Sequence, residues 1–191
     1  NDAYEQGTSM HGSPLEWELC DVSDDATEED YEGSKNMYNA FGAYIKKKKD
    51  CQGKSGCFAE KYLYINGTEW EDNINTAPHR YKIITNDGMS MAFHAYSHDC
   101  SKIQEDSDLR PICGLVFVDI NGPNKGKNMM GDDLFAFDLT EDGIFPHGAA
   151  TDTCLHQHCM VAGLHCTKWV IENENKEYLK CKDLSWSGKT K

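Results

Sequence analysis

Nine cysteines with no C-x-x-C pair among them constrain this 191-residue chain more than any other feature. Cysteine-rich cytosolic proteins usually arrange these residues as such pairs around zinc. Structural disulfides formed in an oxidising compartment account better for the wide spacings here, so we expect a secreted protein. Because nine is odd, one thiol is left over or pairs outside the chain. The cysteines are Cys20, Cys51, Cys57, Cys100, Cys113, Cys154, Cys159, Cys166 and Cys181.

The net charge of the chain argues against certain classes of binding partner. The chain carries 19 basic and 32 acidic residues, which gives a net charge of −13. A surface this acidic repels phosphate backbones and anionic lipid, so we expect no nucleic-acid partner. No run of about 18 apolar residues occurs, so no segment of this sequence is expected to span a membrane.

Apolar periodicity predicts one long helix near the start of the chain. From Tyr31 onward, apolar positions recur at spacings of three and four, which is typical of an amphipathic helix over residues 25–48. Acidic residues at its start and the lysines at 46–49 at its end both complement the helix dipole. The residues that we expect to pack this helix on a sheet are Tyr38, Phe41 and Ile45.

The rest of the chain reads as short strands separated by turn residues. A helix followed by successive hairpins predicts an α+β domain, with the helix laid across an antiparallel sheet. Residues 1–22 are an expected entry segment, weakly ordered over 1–20, and residues 23–191 a single domain. The predicted strands are 62–65, 81–85, 89–96, 115–120 and 134–139, with a second helical stretch at 166–172.

Loop lengths suggest how the cysteines pair. One predicted disulfide closes a short loop that contains Gly53 and Gly56, and a second fixes a polar loop between two strands. The last four cysteines can connect in three ways; we predict two further bonds among them, which leaves Cys20 over. The predicted disulfides are Cys51–Cys57, Cys100–Cys113, Cys154–Cys159 and Cys166–Cys181.

No motif in the sequence predicts an enzyme. The chain has no Gly-x-Ser-x-Gly elbow, no Gly-rich phosphate loop and no His-Glu-x-x-His. His156, His158 and His165 could ligate zinc, although surface histidines in a disulfide loop are the simpler interpretation. Asp119 and Asn121 begin a polar stretch whose alternate oxygen-bearing side chains resemble a calcium loop. Because its EF-hand pattern is incomplete, a turn built by Asx and Gly residues is the alternative.

Several motifs follow one another in a characteristic order through the second half of the chain. A strand ending in Val-Asp-Ile-Asn-Gly at 118–122 precedes Pro-Asn, then Gly-Asp-Asp-Leu-Phe-Ala-Phe-Asp-Leu, then Asp-Gly-Ile-Phe-Pro-His-Gly. Cys166-Thr-Lys-Trp-Val-Ile, Tyr178-Leu-Lys-Cys and Leu184-Ser-Trp complete the series. Taken together, residues 25–190 resemble the globular domain of bacterial type IV pilins and type II secretion pseudopilins, in a disulfide-rich branch.

This resemblance implies a structural role: a major or minor subunit of an extracellular or periplasmic filament, and not an enzyme. Pilins carry an N-terminal apolar helix of about 20 residues or more, long enough to hold the subunit in the inner membrane before assembly. In the filament these helices join the subunits to one another. The helix is absent here, so we interpret the chain as the soluble globular part, with 25–48 as the second half of the long pilin helix.

The resemblance also implies a Ca²⁺ loop in the globular domain. The ligands expected for it are Asp119, Asn121, Asp132 and Asp133.

A secreted, disulfide-rich binding module or enzyme of unknown substrate is the alternative function. A short basic leader and about 20 apolar residues encoded upstream of Asn1 would favour the filament subunit. A conventional signal peptide would favour the alternative.

Overall fold

The computed structural model, which describes residues 2–22, 26–103 and 110–187, is built on a six-stranded antiparallel sheet. Its strands are β1 Lys47–Gln52, β2 Tyr81–Thr85, β3 Ser90–Ala95, β6 Gly114–Asp119, β7 Leu134–Thr140 and β8 Gly143–Pro146; β4 Lys102–Ile103 and β5 Pro111–Ile112 form a separate pair. The large sheet follows the order β1-β2-β3-β6-β7-β8, a meander interrupted by the β4–β5 pair.

Four of the five predicted strands are confirmed as β2, β3, β6 and β7. The strand expected at 62–65 is wrong, because this segment makes only isolated bridges, from Leu63 to Glu69 and to Met129. The turn at Asn66-Gly67 does form, with the Gly67 N–H donating to the Tyr64 carbonyl.

Both faces of the sheet are covered, which explains why β2 is buried throughout and β6 almost throughout. On one face, Tyr81, Phe93 and Val116 pack against helices. On the other, alternate residues such as Ala92 and Phe117 pack under the loop that leads from β1 to β2. Side chains alternate between faces with a period of two, so one strand serves both cores.

Helix α2, Tyr31–Ala40, is the centre of the predicted 25–48 helix and is much shorter. A capping box precedes it: the Thr27 N–H donates to Asp30 Oδ2 at 2.6 Å, and Thr27 Oγ1 accepts from the Glu29 N–H. Tyr38 and Phe41 pack on the sheet as predicted, with the Tyr38 ring stacked 4.0 Å from that of Tyr81.

The predicted helix ends early because the chain turns toward the sheet. A Cβ at Gly42 would lie 2.6 Å from the Phe93 ring, so the backbone approaches β3 too closely for a larger residue. Three of the four lysines expected at the helix C-terminus instead lie in β1, where Lys47 pairs with Thr85 and Lys49 with Ile84. They are therefore not placed to act on the dipole of α2. Residue 25, the predicted start of this helix, lies outside the described residues.

The entry segment is ordered, contrary to expectation. Residues Asp2–His11 form helix α1, and the rings of Tyr4, Trp17 and Phe41 contact one another at the edge of the helical core. Trp17 and Leu19 are each 5% exposed. The sequence interpretation missed them because isolated aromatic residues show no periodicity.

The disulfides confirm two predicted pairs and contradict two. Cys51–Cys57 and Cys100–Cys113 form as expected. In the last group, Cys159 bonds Cys166. Cys154 and Cys159 belong to one helical segment, Cys154–Cys159, and the chain reverses after it at Gly163, which brings Cys166 back to Cys159 with Cα atoms 4.6 Å apart.

Cys20, Cys154 and Cys181 are not in disulfides. The Cys20 thiol accepts the Gly33 N–H, and that of Cys154 accepts the Ala149 N–H. Cys181 is exposed.

A third, smaller core forms in the C-terminal part. Short helix α3, Met160–Ala162, leads to α4, Cys166–Asn173, which confirms the helical stretch predicted at 166–172. Trp169, Tyr178 and Leu184 pack around the Cys159–Cys166 bond. Among the described residues, no helix combines the length and the apolar character needed to cross a membrane.

Candidate functional site

The polar stretch singled out in the sequence is the loop between β6 and β7. Asp119 ends β6 and is fully buried. Its Oδ1 accepts the N–H groups of Asn121, at 3.1 Å, and Gly122, at 2.9 Å. Its Oδ2 accepts the hydroxyl of Tyr62, which reaches in from the loop on that face of the sheet. Asp119 therefore builds an Asx turn, as the alternative interpretation predicted.

Asn121 connects this turn to the far end of the loop. Its Nδ2 donates to Asp133 Oδ1 at 2.7 Å, and Asp133 Oδ2 accepts the Met129 N–H at 3.4 Å. Gly126 lies directly over the pair: its φ is +84°, and a Cβ there would lie 2.4 Å from Asn121 Nδ2. Only glycine combines that backbone conformation with so close an approach.

Two amide oxygens in this loop, Oδ1 of Asn121 and Oδ1 of Asn128, are buried without a hydrogen-bond partner among the described residues. Buried acceptors normally find a donor or an ion. Carboxylate and amide oxygens are also the ligands that calcium prefers. Asn121, Asn128 and Asp133 therefore offer the donor types that a hard cation takes. The Asp133 carboxylate accepts two hydrogen bonds, whereas the fully buried Asp119 carboxylate accepts three.

Asp132 does not belong to this set. Its Oδ1 lies 3.2 Å from Lys176 Nζ and its Oδ2 lies 3.6 Å from Lys127 Nζ, so two lysines already meet its charge. Among the described residues, the carboxylates of Asp119, Asp132 and Asp133 do not form a group of three within 4.8 Å of one another. These lysine contacts argue against Asp132 as a ligand, and the predicted calcium set stays a prediction. Sequence reasoning did not find Tyr62 and Asn128.

Burial sets the electrostatics of the loop. It raises the pKa of Asp119, as does the negative charge of Asp133, while the hydrogen bonds from Tyr62 and from two backbone N–H groups act in the opposite direction. Burial beside this carboxylate also raises the pKa of Tyr62 strongly. A cation would relieve the repulsion between Asp119 and Asp133.

The histidines form two groups that the sequence did not predict, the first partly buried and the second buried. In the first, His147 Nδ1 lies 2.7 Å from Asp138 Oδ1, and the His165 ring packs 4.5 Å from that of His147. His158 lies 5.3 Å from His165, while His156 is exposed. The suggested zinc set is thus not assembled as written. Burial, with His147 and His158 nearby, lowers the pKa of His165 to about 3.

The second group lies on β3 and the segment before β2. The rings of His79 and His94 are 4.7 Å apart, and Arg80 Nε donates to His94 Nδ1 at 3.4 Å. Four buried nitrogens have no partner in the described structure: both of His79, Nη1 of Arg80 and Nε2 of His94. Burial and the Arg80 charge lower the pKa of His79 to about 4 and that of His94 well below its usual range.

One further cluster could hold an ion by distance alone. Ligand atoms of Asp21, His98 and Asp99 lie within 4.8 Å of one another, and all three residues are exposed. Asp21 Oδ2 already accepts from His98 Nδ1 at 2.8 Å, and this hydrogen bond raises the pKa of His98. The arrangement is that of a surface ion pair.

Comparison with known proteins found no matching family model, no similar curated protein and no similar solved structure.

Proposed function

We propose that the chain is the globular domain of a subunit of a pilin-type or pseudopilin-type filament, with a structural role. The observation that carries this proposal is the placement of the motifs behind the resemblance. Val118-Asp-Ile-Asn-Gly ends β6, Gly131-Asp-Asp-Leu-Phe leads into β7, and the following Asp-Gly-Ile-Phe-Pro is the β7–β8 turn with β8. The motifs thus lie, in the same order as in the sequence, on one continuous strand–loop–strand–hairpin unit.

Two further features support the proposal. Helices α1 and α2 cover one face of the antiparallel sheet, the layer arrangement that we expect for such a domain. Three disulfides and a net charge of −13 suit a subunit that works outside the cytoplasm, because disulfides persist there and like charges keep particles dispersed. On this proposal the subunit is anchored in the inner membrane by an apolar helix before assembly.

The decisive experiment locates the chain in cells. Filaments sheared from the surface are purified, labelled with an antibody against residues 26–103, and analysed by mass spectrometry. We expect labelling along the filament, and an upstream reading frame that encodes a leader and an apolar helix. Recovery of the chain only as a soluble secreted protein, from cells that carry filaments, would overturn the proposal and favour the binding module or enzyme.

A second test uses the 191-residue chain itself. Because the helical core of a filament would be absent, we expect a monomer at micromolar concentration by light scattering. A dimer that survives about 0.5 M salt, where surface charges are strongly screened, would reveal a strong interface in the globular domain and favour the alternative function.

A further inference from the structure

The lysine run at 46–49 needs an explanation other than the helix dipole. Five of the 19 basic residues fall within positions 46–54, and the remaining chain carries 14 basic and 31 acidic residues. The lysines at 46–49 are exposed. Among the described strands β1 pairs only with β2, so its outer edge is free of a second strand there. The molecule thus has a basic edge on an otherwise acidic surface.

The side chains of two of these lysines make no hydrogen bond or ion pair within the described structure, although the Lys48 charge acts on the nearby Asp87 carboxylate. Lys47 donates to Asp50 Oδ2 at 2.5 Å and to the Tyr38 hydroxyl, and Lys49 donates to the Gly56 carbonyl at 2.6 Å. No hydrogen bond or ion pair of the described residues involves the ammonium groups of Lys46 and Lys48. We call Lys46 and Lys48 the basic end.

Acidic side chains lie at the opposite end of the same edge. Glu28 and Glu29 form the exposed turn that starts α2, and Tyr31, just after them, contacts Gly53 beyond the end of β1. The Lys46 carbonyl, in contrast, accepts the Asn86 N–H at the β2–β3 turn, just before the start of β1. We call Glu28 and Glu29 the acidic end; ten residues of α2, about 15 Å of helix, separate the ends.

We propose that the basic end of one copy of this chain docks against the acidic end of a second copy. The two surfaces differ, so the contact is head-to-tail, and repetition produces an open chain of subunits instead of a closed dimer. Opposite charges at the two ends set the orientation, because the reversed pairing would bring like charges together. This inference rests on the proposed filament function, since it names a contact between neighbouring globular domains.

Sedimentation of the full 191-residue chain at about 0.5 mM tests the contact. We expect association in about 20 mM salt and its loss in about 300 mM, because the screening length falls below 10 Å. Lys46→Glu with Lys48→Glu, and separately Glu28→Lys with Glu29→Lys, should each abolish association. Combining all four changes in one chain should restore it, because the charges are then exchanged.

The matched control replaces Lys180 and Lys182, which are exposed elsewhere, with Glu. It changes the net charge by the same amount as the basic-end variant, and we expect it to associate almost as the unaltered chain does. The docking contact is refuted if the unaltered chain shows no salt-sensitive association, if the control loses it equally, or if the fourfold exchange fails to restore it.

Two different experimental outcomes would refute the docking contact and the filament function separately. Filaments that assemble equally well from a full-length subunit with Lys46→Glu and Lys48→Glu would refute the contact and leave the function intact. A chain that never enters filaments, but shows the charge-exchange pattern in sedimentation, would refute the function and leave the contact intact.

Discussion

Two groups of buried polar side chains lie on one face of the sheet, and they differ in whether their polar atoms find hydrogen-bond partners. Asp119 follows Phe117 on β6, and His94 follows Ala92 on β3, so both point toward the same core. Each oxygen of Asp119 meets a hydrogen-bond donor. Around His94, in contrast, four nitrogens have no hydrogen-bond partner within the described structure. The turn around Asp119 thus stabilises the carboxylate with nearby donors. The histidine group is stable only while its histidines stay neutral.

The two groups differ because of the sequence separation between each polar side chain and the residues that could be its hydrogen-bond partners. Asn121 and Gly122 are two and three residues from Asp119, so a turn sequence brings its own donors. His79 and His94 are joined only through the pairing of β2 with β3, and nothing local supplies acceptors for them. Replacing single members of each group tests this comparison.

The largest effect should come from Asp119→Ala. The change leaves the Tyr62 hydroxyl and two backbone N–H groups without their acceptor in a buried turn. Hydrogen bonds to a charged group contribute about 1.5–3 kcal/mol each and are not additive, so we expect a loss of about 4 kcal/mol in unfolding free energy.

Urea unfolding at pH 7 measures this loss, with Asp183→Ala at an exposed position as control, expected within about 0.5 kcal/mol. A loss below about 1 kcal/mol for Asp119→Ala would mean that the turn does not depend on this carboxylate.

The histidine group should make the protein sensitive to acid. The unfolded chain protonates His79 below about pH 6.5, but the folded protein does so only near its lowered pKa of about 4. Stability is therefore complete above pH 6.5 and falls as the pH drops from 6.5 toward 4. Between pH 7 and 5 this one residue should remove about 2 kcal/mol.

The His79→Gln variant should lose less stability than the unaltered protein over the same pH interval, while His156→Gln, at an exposed histidine, should behave like the unaltered protein. The measurement is unfolding free energy at pH 7 and pH 5. Equal pH dependence in all three proteins would show that His79 is already hydrated or paired in the folded state.

The comparison also shows which parts of the structure could be predicted. Strands β2, β3, β6 and β7 were predictable because short apolar runs end at strong turn residues. The end of α2 was not, because the lysines at 46–49 suit a helix terminus locally, and only pairing with β2 draws them into a strand. The Asp119 turn was likewise local, whereas Tyr62 reaches it across 57 residues.

Added calcium should stabilise the protein through the loop between β6 and β7 and not through the histidine group. A cation held by Asn121, Asn128 and Asp133 would satisfy two unpartnered amide oxygens, and it binds only the folded protein. At ten times the dissociation constant, binding adds about 1.4 kcal/mol, which raises Tm by roughly 3–6 °C for a chain of this size. Calorimetry after chelation, with and without millimolar Ca²⁺, measures the shift. An unchanged Tm would refute the calcium prediction.

The smallest effect should come from Asp132, and it decides which carboxylates belong to the calcium loop. Asp132→Asn weakens ion pairs with Lys176 and Lys127, and such partly exposed pairs contribute about 0–1 kcal/mol. We therefore expect a Tm close to that of the unaltered protein and a full response to Ca²⁺. Asp133→Asn, similar in size and one residue away, should lose the response because it removes a charged ligand. If both variants lost the response equally, Asp132 would have to turn from its lysines toward the ion and would join the ligand set, as expected from the sequence.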